Sequence, residues 1–214
     1  MKIGVFDSGV GGKSVANAIS RALPQHQVIF MMDSAHFPYA TKTPQEIHGY
    51  VVPILTDLVG QGCEVIVIAC NTVSTNLIDE LRETLPVPLI AMEPMVKPAA
   101  EQTKSKVIVV CATPTTLASP RYQWLKDTYA SGIKVLEPDC SNWSYMIETN
   151  QIDRQKIHDQ IDQACQAGAD MIVLGCTHYH WIEDIITEVV QGRAQVIQPE
   201  QPVIEQLKKV MASL

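Results

Sequence analysis

Two stretches decide the fold: Gly62-Cys63-Glu64-Val65-Ile66-Val67-Ile68-Ala69-Cys70-Asn71-Thr72 and Gly168-Ala169-Asp170-Met171-Ile172-Val173-Leu174-Gly175-Cys176-Thr177-His178. Each runs Gly, an acid two residues on, an apolar run, then Cys and small polar residues, with the same Gly-to-Cys spacing. A short, wholly apolar run bounded by turn residues reads as a strand buried on both faces. Each Cys then falls where a strand stops and a helix is expected, the edge at which open α/β sheets bind ligands.

Working outward, the same rhythm fills the chain. Strands are expected at 2–6, 28–32, 65–69, 88–91, 106–110, 134–136, 171–175 and 195–198. Helices are expected at 12–23, 43–60, 74–85, 119–130, 154–167 and 180–191. Alternating β and α elements predict an α/β protein with mostly parallel sheets covered by helices. The halves also align. Asp7 and Cys70 are spaced much as Cys111 and Cys176 are, Asp33-Ser34 is answered by Asp139-Cys140, and Pro94 by Pro199. The expected organisation is two pseudo-symmetric, flavodoxin- or Rossmann-like lobes, 1–95 and 96–214, with a cleft between their sheet edges. The end of the second, 201–214, is expected to be a helix packing back on the first.

Composition narrows the function. At 46% hydrophobic and 18% charged, the 214 residues can build a packed core. A net charge of −7 argues against a nucleic-acid partner. No apolar run approaches the ~20 residues that span a bilayer. The start, Met1-Lys2-Ile3-Gly4-Val5-Phe6-Asp7, reads as a strand, not a leader. A cytoplasmic protein with six reduced cysteines is the expectation.

Cys70 and Cys176 stand apart from Cys63, Cys111, Cys140 and Cys165, which read as small buried hydrophobes. A helix N-terminus would favour the thiolate at each. Two thiols facing one carbon suit inversion: one removes a proton from one face while the other returns one to the opposite face. Asp7-Ser8-Gly9-Val10-Gly11-Gly12-Lys13-Ser14 comes close to a phosphate loop, but has Asp7 where that motif needs Gly. Its glycines are expected to bring backbone N–H groups to an anionic ligand. Asp7 is either a carboxylate helping Cys70 or a plain helix cap. His178 is placed to share a proton with Cys176; a metal held by Cys176, His178 and His180 lacks zinc spacing. Glu148 alone reads as a surface acid. Thr113-Pro114-Thr115-Thr116 is equally good as a cap or an anion clamp, and Phe37-Pro38-Tyr39-Ala40 as a pocket wall or packing.

Together, Asp7-Ser8-Gly9-Val10-Gly11-Gly12, Pro38-Tyr39, Ala69-Cys70-Asn71-Thr72, Glu148 and Gly175-Cys176-Thr177-His178-Tyr179 resemble the glutamate racemase branch of the aspartate/glutamate/hydantoin racemase superfamily. The resemblance implies two lobes, no cofactor (no pyridoxal phosphate) and no metal. It puts Cys70 and Cys176 in the catalytic positions, Asp7 beside the first, and Glu148 and His178 beside the second. Asp7, Ser8, Tyr39, Ala40, Asn71, Thr72, Thr116, Thr177 and His178 match substrate-contact positions. The implied activity interconverts L- and D-glutamate and supplies D-glutamate for peptidoglycan; such enzymes often form homodimers. Lys13, Ala40, His180 and Ile197-Gln198-Pro199-Glu200 depart from the family pattern, and the chain is shorter than usual. Those departures keep two alternatives open: a racemase of aspartate or another acidic amino acid, and a silent ligand-binding homologue.

Overall fold

A computed structural model describes all residues, 1–214. The eight expected strands all form: β1 Lys2–Asp7, β2 Gln27–Met32, β3 Val65–Ile68, β4 Leu89–Ala91, β5 Val107–Ala112, β6 Lys134–Leu136, β7 Met171–Gly175 and β8 Gln195–Ile197. They build two four-stranded sheets, β2-β1-β3-β4 and β6-β5-β7-β8, with every pairing parallel. The second sheet repeats the strand order of the first, and each order reverses between its first and third strands in the chain. That reversal opens a crevice at the C-terminal ends of β1 and β3, and again at β5 and β7.

The helices are α1 Lys13–Ala22, α2 Pro44–Gly60, α3 Asn71–Thr84, α4 Val96–Gln102, α5 Pro114–Leu117, α6 Pro120–Tyr129, α7 Trp143–Glu148, α8 Arg154–Gln166, α9 Glu183–Val190 and α10 Glu200–Met211. Both faces of each sheet carry an apolar cluster. Val65 and Val67 face α1, while Ile66 and Ile68 face α2 and α3. Helix α10 lays Val203, Ile204 and Leu207 against the cluster that holds Ile3, Val15 and Ile19. No helix is long and apolar enough to cross a membrane.

The Gly and the acid of each repeated stretch have a local physical cause. Gly62 and Gly168 adopt φ of +85° and +91°, just past the ends of α2 and α8. Their N–H groups donate to the carbonyls of Val59 and Cys165, and the next residues, Cys63 and Ala169, donate to Leu58 and Ala164. This is the Schellman termination, whose left-handed residue favours Gly. The acids then fasten each sheet's first strand. Glu64 accepts from the Lys2 N–H, and Asp170 from the Lys104 and Ser105 N–H groups and the Thr103 hydroxyl.

Three helices, α4, α5 and α7, escape the periodicity because each is seven residues or fewer. The region 180–191 is not one helix. A 3-10 turn, Thr177–Ile182, precedes α9. Helix α3 starts earlier than its apolar pattern suggests, so Cys70 is its N-cap.

Candidate active site

The ends of β1, β3 and β7 converge on one pocket between the sheets. Its walls include Asp7, Ser8, Tyr39, Ala40, Cys70, Asn71, Thr72, Cys176, Thr177 and His178. Phe37, Pro38, Thr113 and Ser144 complete the lining. Every sequence-predicted site residue is on this wall except Thr116 and Glu148, which sit behind it. Thr116 accepts from the Thr113 hydroxyl at 2.9 Å, and Glu148 touches His178. Wider surface hollows, such as one between α8 and α9 around Arg154, His158 and Glu188, gather none of these groups.

Cys70 is buried, with its sulfur 3.4 Å from the Ser8 Oγ. The helix N-terminus does not win here. Burial first, then the nearby Asp7 charge, push the thiol up to about 12 against the Ser8 hydrogen bond. Cys70 therefore holds its proton at neutral pH. Cys176 stands at the N-terminus of a 3-10 turn, not of the α-helix expected there. Its neighbour is His178, with Nδ1 3.8 Å from the sulfur and Nε2 2.7 Å from Glu148 Oε2.

Glu148 is not a free surface acid. Its Oε2 also accepts the Val10 N–H at 3.0 Å. Burial works against its charge, but the His178 and Val10 hydrogen bonds prevail and hold it below the usual carboxylate range. Burial likewise works against a charged His178, yet hydrogen bonds to Cys176 and Glu148 raise it to about 10. It stands as an imidazolium at neutral pH. Folding lifts this group from 6.5, so its stabilisation is complete below pH 6.5 and is lost as pH rises through 10. We expect urea-unfolding free energy to fall across that window in the wild type and to stay flatter in His178→Asn. Parallel pH profiles would refute the coupling.

Asp7 is fully buried. Its Oδ2 accepts the Gly12 N–H at 2.6 Å and the Thr177 hydroxyl at 3.1 Å, while Oδ1 has no partner. Burial raises its pKa over the opposing pull of His178 and these donors. No hydrogen bond joins it to Cys70. The N–H groups of Val10 and Gly12, expected to face a ligand anion, instead bind the chain's own carboxylates. The glycines serve close approach: a Cβ on Gly11 would lie 2.6 Å from the His178 nitrogen, and one on Gly9 2.7 Å from Glu148 Oε2. The segment thus forms an inter-lobe seam, not a phosphate loop.

Asn71 is buried in the pocket wall, and neither of its side-chain polar atoms has a hydrogen-bond partner within the protein. Thr72 meets Thr113 and Thr116 in a buried hydroxyl cluster. Thr113 is also the N-cap of α5, accepting from the Thr116 N–H, so its turn both caps the helix and lines the pocket. His180 turns away to Ser14 Oγ, and no three His, Cys, Asp or Glu side chains come together as a metal cage. Ser144 in the wall was missed, since nothing around it in sequence marks it.

Two parallel-sheet lobes, each with a thiol at the equivalent strand end and both thiols lining one pocket, are shared with the racemases, which are isomerases. The chain belongs to the Asp/Glu/hydantoin racemase family, whose family model matches residues 11–207. Within it, the chain is 37% identical over 215 residues to a glutamate racemase of Pseudomonas syringae pv. tomato, covering 98% of this chain and 78% of that one. Among solved structures it is similar to Escherichia coli glutamate racemase in complex with L-glutamate and an activator, UDP-MurNAc-Ala. There the TM-score is 0.86 at 25% identity, covering 99% of this chain and 82% of that one. Francisella tularensis glutamate racemase in complex with D-glutamate gives a TM-score of 0.82 at 26% identity, covering 99% and 81%.

Proposed function

We propose that the chain interconverts L- and D-glutamate by two-base proton transfer at Cα, without a cofactor, and so supplies D-glutamate for peptidoglycan. The observation that carries this reading is the meeting of Cys70 and Cys176 in one pocket from equivalent strand ends of two repeated sheets. The relatives named glutamate racemase along nearly the full chain support the substrate.

In the proposed cycle one sulfur, as thiolate, takes the α-proton and becomes S–H. The opposite S–H gives its proton to the other face of the carbanion and becomes thiolate. The proton states of the two sulfurs are thereby exchanged, which suits them to the reverse reaction. The proton held on Cys70 suits it to the acid's part, while Cys176 lies beside the His178 imidazolium. His178, oriented by Glu148, balances charge at Cys176. Asp7 orients the seam and, through its free Oδ1, meets the substrate ammonium group. Asn71 and the hydroxyls of Ser8, Thr72 and Thr177 supply hydrogen bonds to substrate carboxylate and amine, with Thr116 behind Thr72.

Incubation with L-glutamate in deuterated water is the test. We expect D-glutamate to appear with deuterium at Cα, seen by loss of the α-proton NMR signal. Absence of both products would refute glutamate as substrate. Turnover of aspartate instead, in the same assay, would move the reading to that side chain.

A further inference from the structure

Beyond the two sulfurs and their helpers, one side-chain chain reaches the pocket from outside. Asp33 follows β2 and is a buried carboxylate, 5% exposed. Its Oδ2 accepts the Tyr39 hydroxyl at 2.7 Å. His36 Nδ1 lies 2.9 Å from each of its two oxygens. The His36 ring in turn lies flat on Tyr50 of α2, with centroids 3.8 Å apart and planes 7° apart. Tyr39 is the inner end of this series; it lines the pocket together with Cys70 and shares a buried cluster with it.

We propose that His36 is a positioning residue that acts through Asp33 to set the Tyr39 phenol in the pocket wall; the catalytic side of this rests on the racemase reading above. A buried carboxylate needs its donors, and with only one it is free to turn about its own bond. His36 spans both oxygens and fixes the plane of the carboxylate. That plane fixes the acceptor seen by Tyr39. The stack on Tyr50 fixes His36 itself, which keeps an exposed edge and no contact with the reacting atoms. Thr115, reaching across from α5, holds the other side of the same loop by donating to the Ala40 carbonyl at 2.6 Å. The loop is therefore pinned at both ends, and His36 is the outer pin. Neither cysteine motif contains it.

Substituting a half-exposed His leaves the core intact, so the variant should fold. A wall contacts substrate and transition state alike, so His36→Ala should raise KM for glutamate about tenfold with kcat within about twofold. His36→Gln, which keeps an N–H donor, should recover most of the loss. Tyr39→Phe should show the same split, and the double variant should be no worse than the worse single one, because both act through one hydrogen bond. An unchanged KM in His36→Ala, or a full additional loss on the Tyr39→Phe background, would overturn the proposal. A wild type that racemises no glutamate would sink the functional reading alone. The positioning claim then has its own readout. With ring-labelled tyrosine, the Tyr39 resonance, assigned by its absence in Tyr39→Phe, should shift in His36→Ala, and an unmoved resonance overturns it.

Discussion

Cys70→Ala and Cys176→Ala should each lower racemisation by at least about a thousandfold, since each removes the only acid–base group on one face of the substrate carbon. The loss should not come from unfolding. Each sulfur packs in a large buried cluster, and deleting one atom leaves a small cavity costing about 1 kcal/mol. Melting temperatures should therefore move by a few degrees only, by about 4–8 °C per kcal/mol in a small domain and less in a larger one. A sharper signature follows from geometry. The sulfur that remains can still take a proton from the enantiomer that presents its hydrogen to it, and return a deuteron to the same face. Each single variant should thus wash deuterium into one enantiomer without inverting it, and the two variants should choose opposite enantiomers. The double variant should exchange neither. Turnover within tenfold of wild type in either single variant, or exchange of the same enantiomer by both, would exclude the two-base scheme.

The helper groups make the two faces unequal, and here the sequence and the structure part company in an instructive way. The repeat was legible because each of its letters answers a local demand: a left-handed Gly after a helix, an acid for the N–H groups entering the first strand, and a buried β run. Such demands act between near neighbours or along one sheet, so pattern and spacing carry them. Strand edges fall within two residues of expectation for the same reason. What the pattern could not carry was the outcome at each sulfur. A helix N-terminus favours a thiolate, but the depth of Cys70 and the charge of Asp7 outweigh it. That balance depends on how closely the lobes approach, which no single stretch encodes. Glu148 shows the same limit: in sequence it closes a short apolar run, and only the fold brings it to the Val10 N–H and His178. Thr113-Pro114 did hold a readable signal, since a hydroxyl before Pro is the usual opening of a helix. The short α5 it starts was hidden because one turn offers no periodicity.

Gly11→Ala should damage the enzyme severely although it touches no acid–base group, because the seam between lobes has no room for one carbon. The added Cβ would sit 2.6 Å from the His178 backbone nitrogen, 2.8 Å from its Nδ1 and 2.8 Å from Thr177 Oγ1. The nearest of these atoms is backbone and cannot swing aside. Either the lobes part or the turn at 177–182 shifts, and both pull His178 from Cys176 and Thr177 from Asp7. Overpacking of this kind costs about 1–3 kcal/mol. A displacement near 1 Å at the reacting groups costs about a hundredfold in rate. Gly49→Ala is the matched control. It lies exposed within α2 with nothing within 4 Å of its added carbon. There, helix propensity alone should stabilise the protein by about 1 kcal/mol. The pair separates two explanations that a single variant would confuse: a glycine kept for chain flexibility and a glycine kept for contact. If Gly11→Ala retained full activity and stability, the closed seam could not be the arrangement in which the two sulfurs work, and the lobes would have to turn over substrate from a more open state.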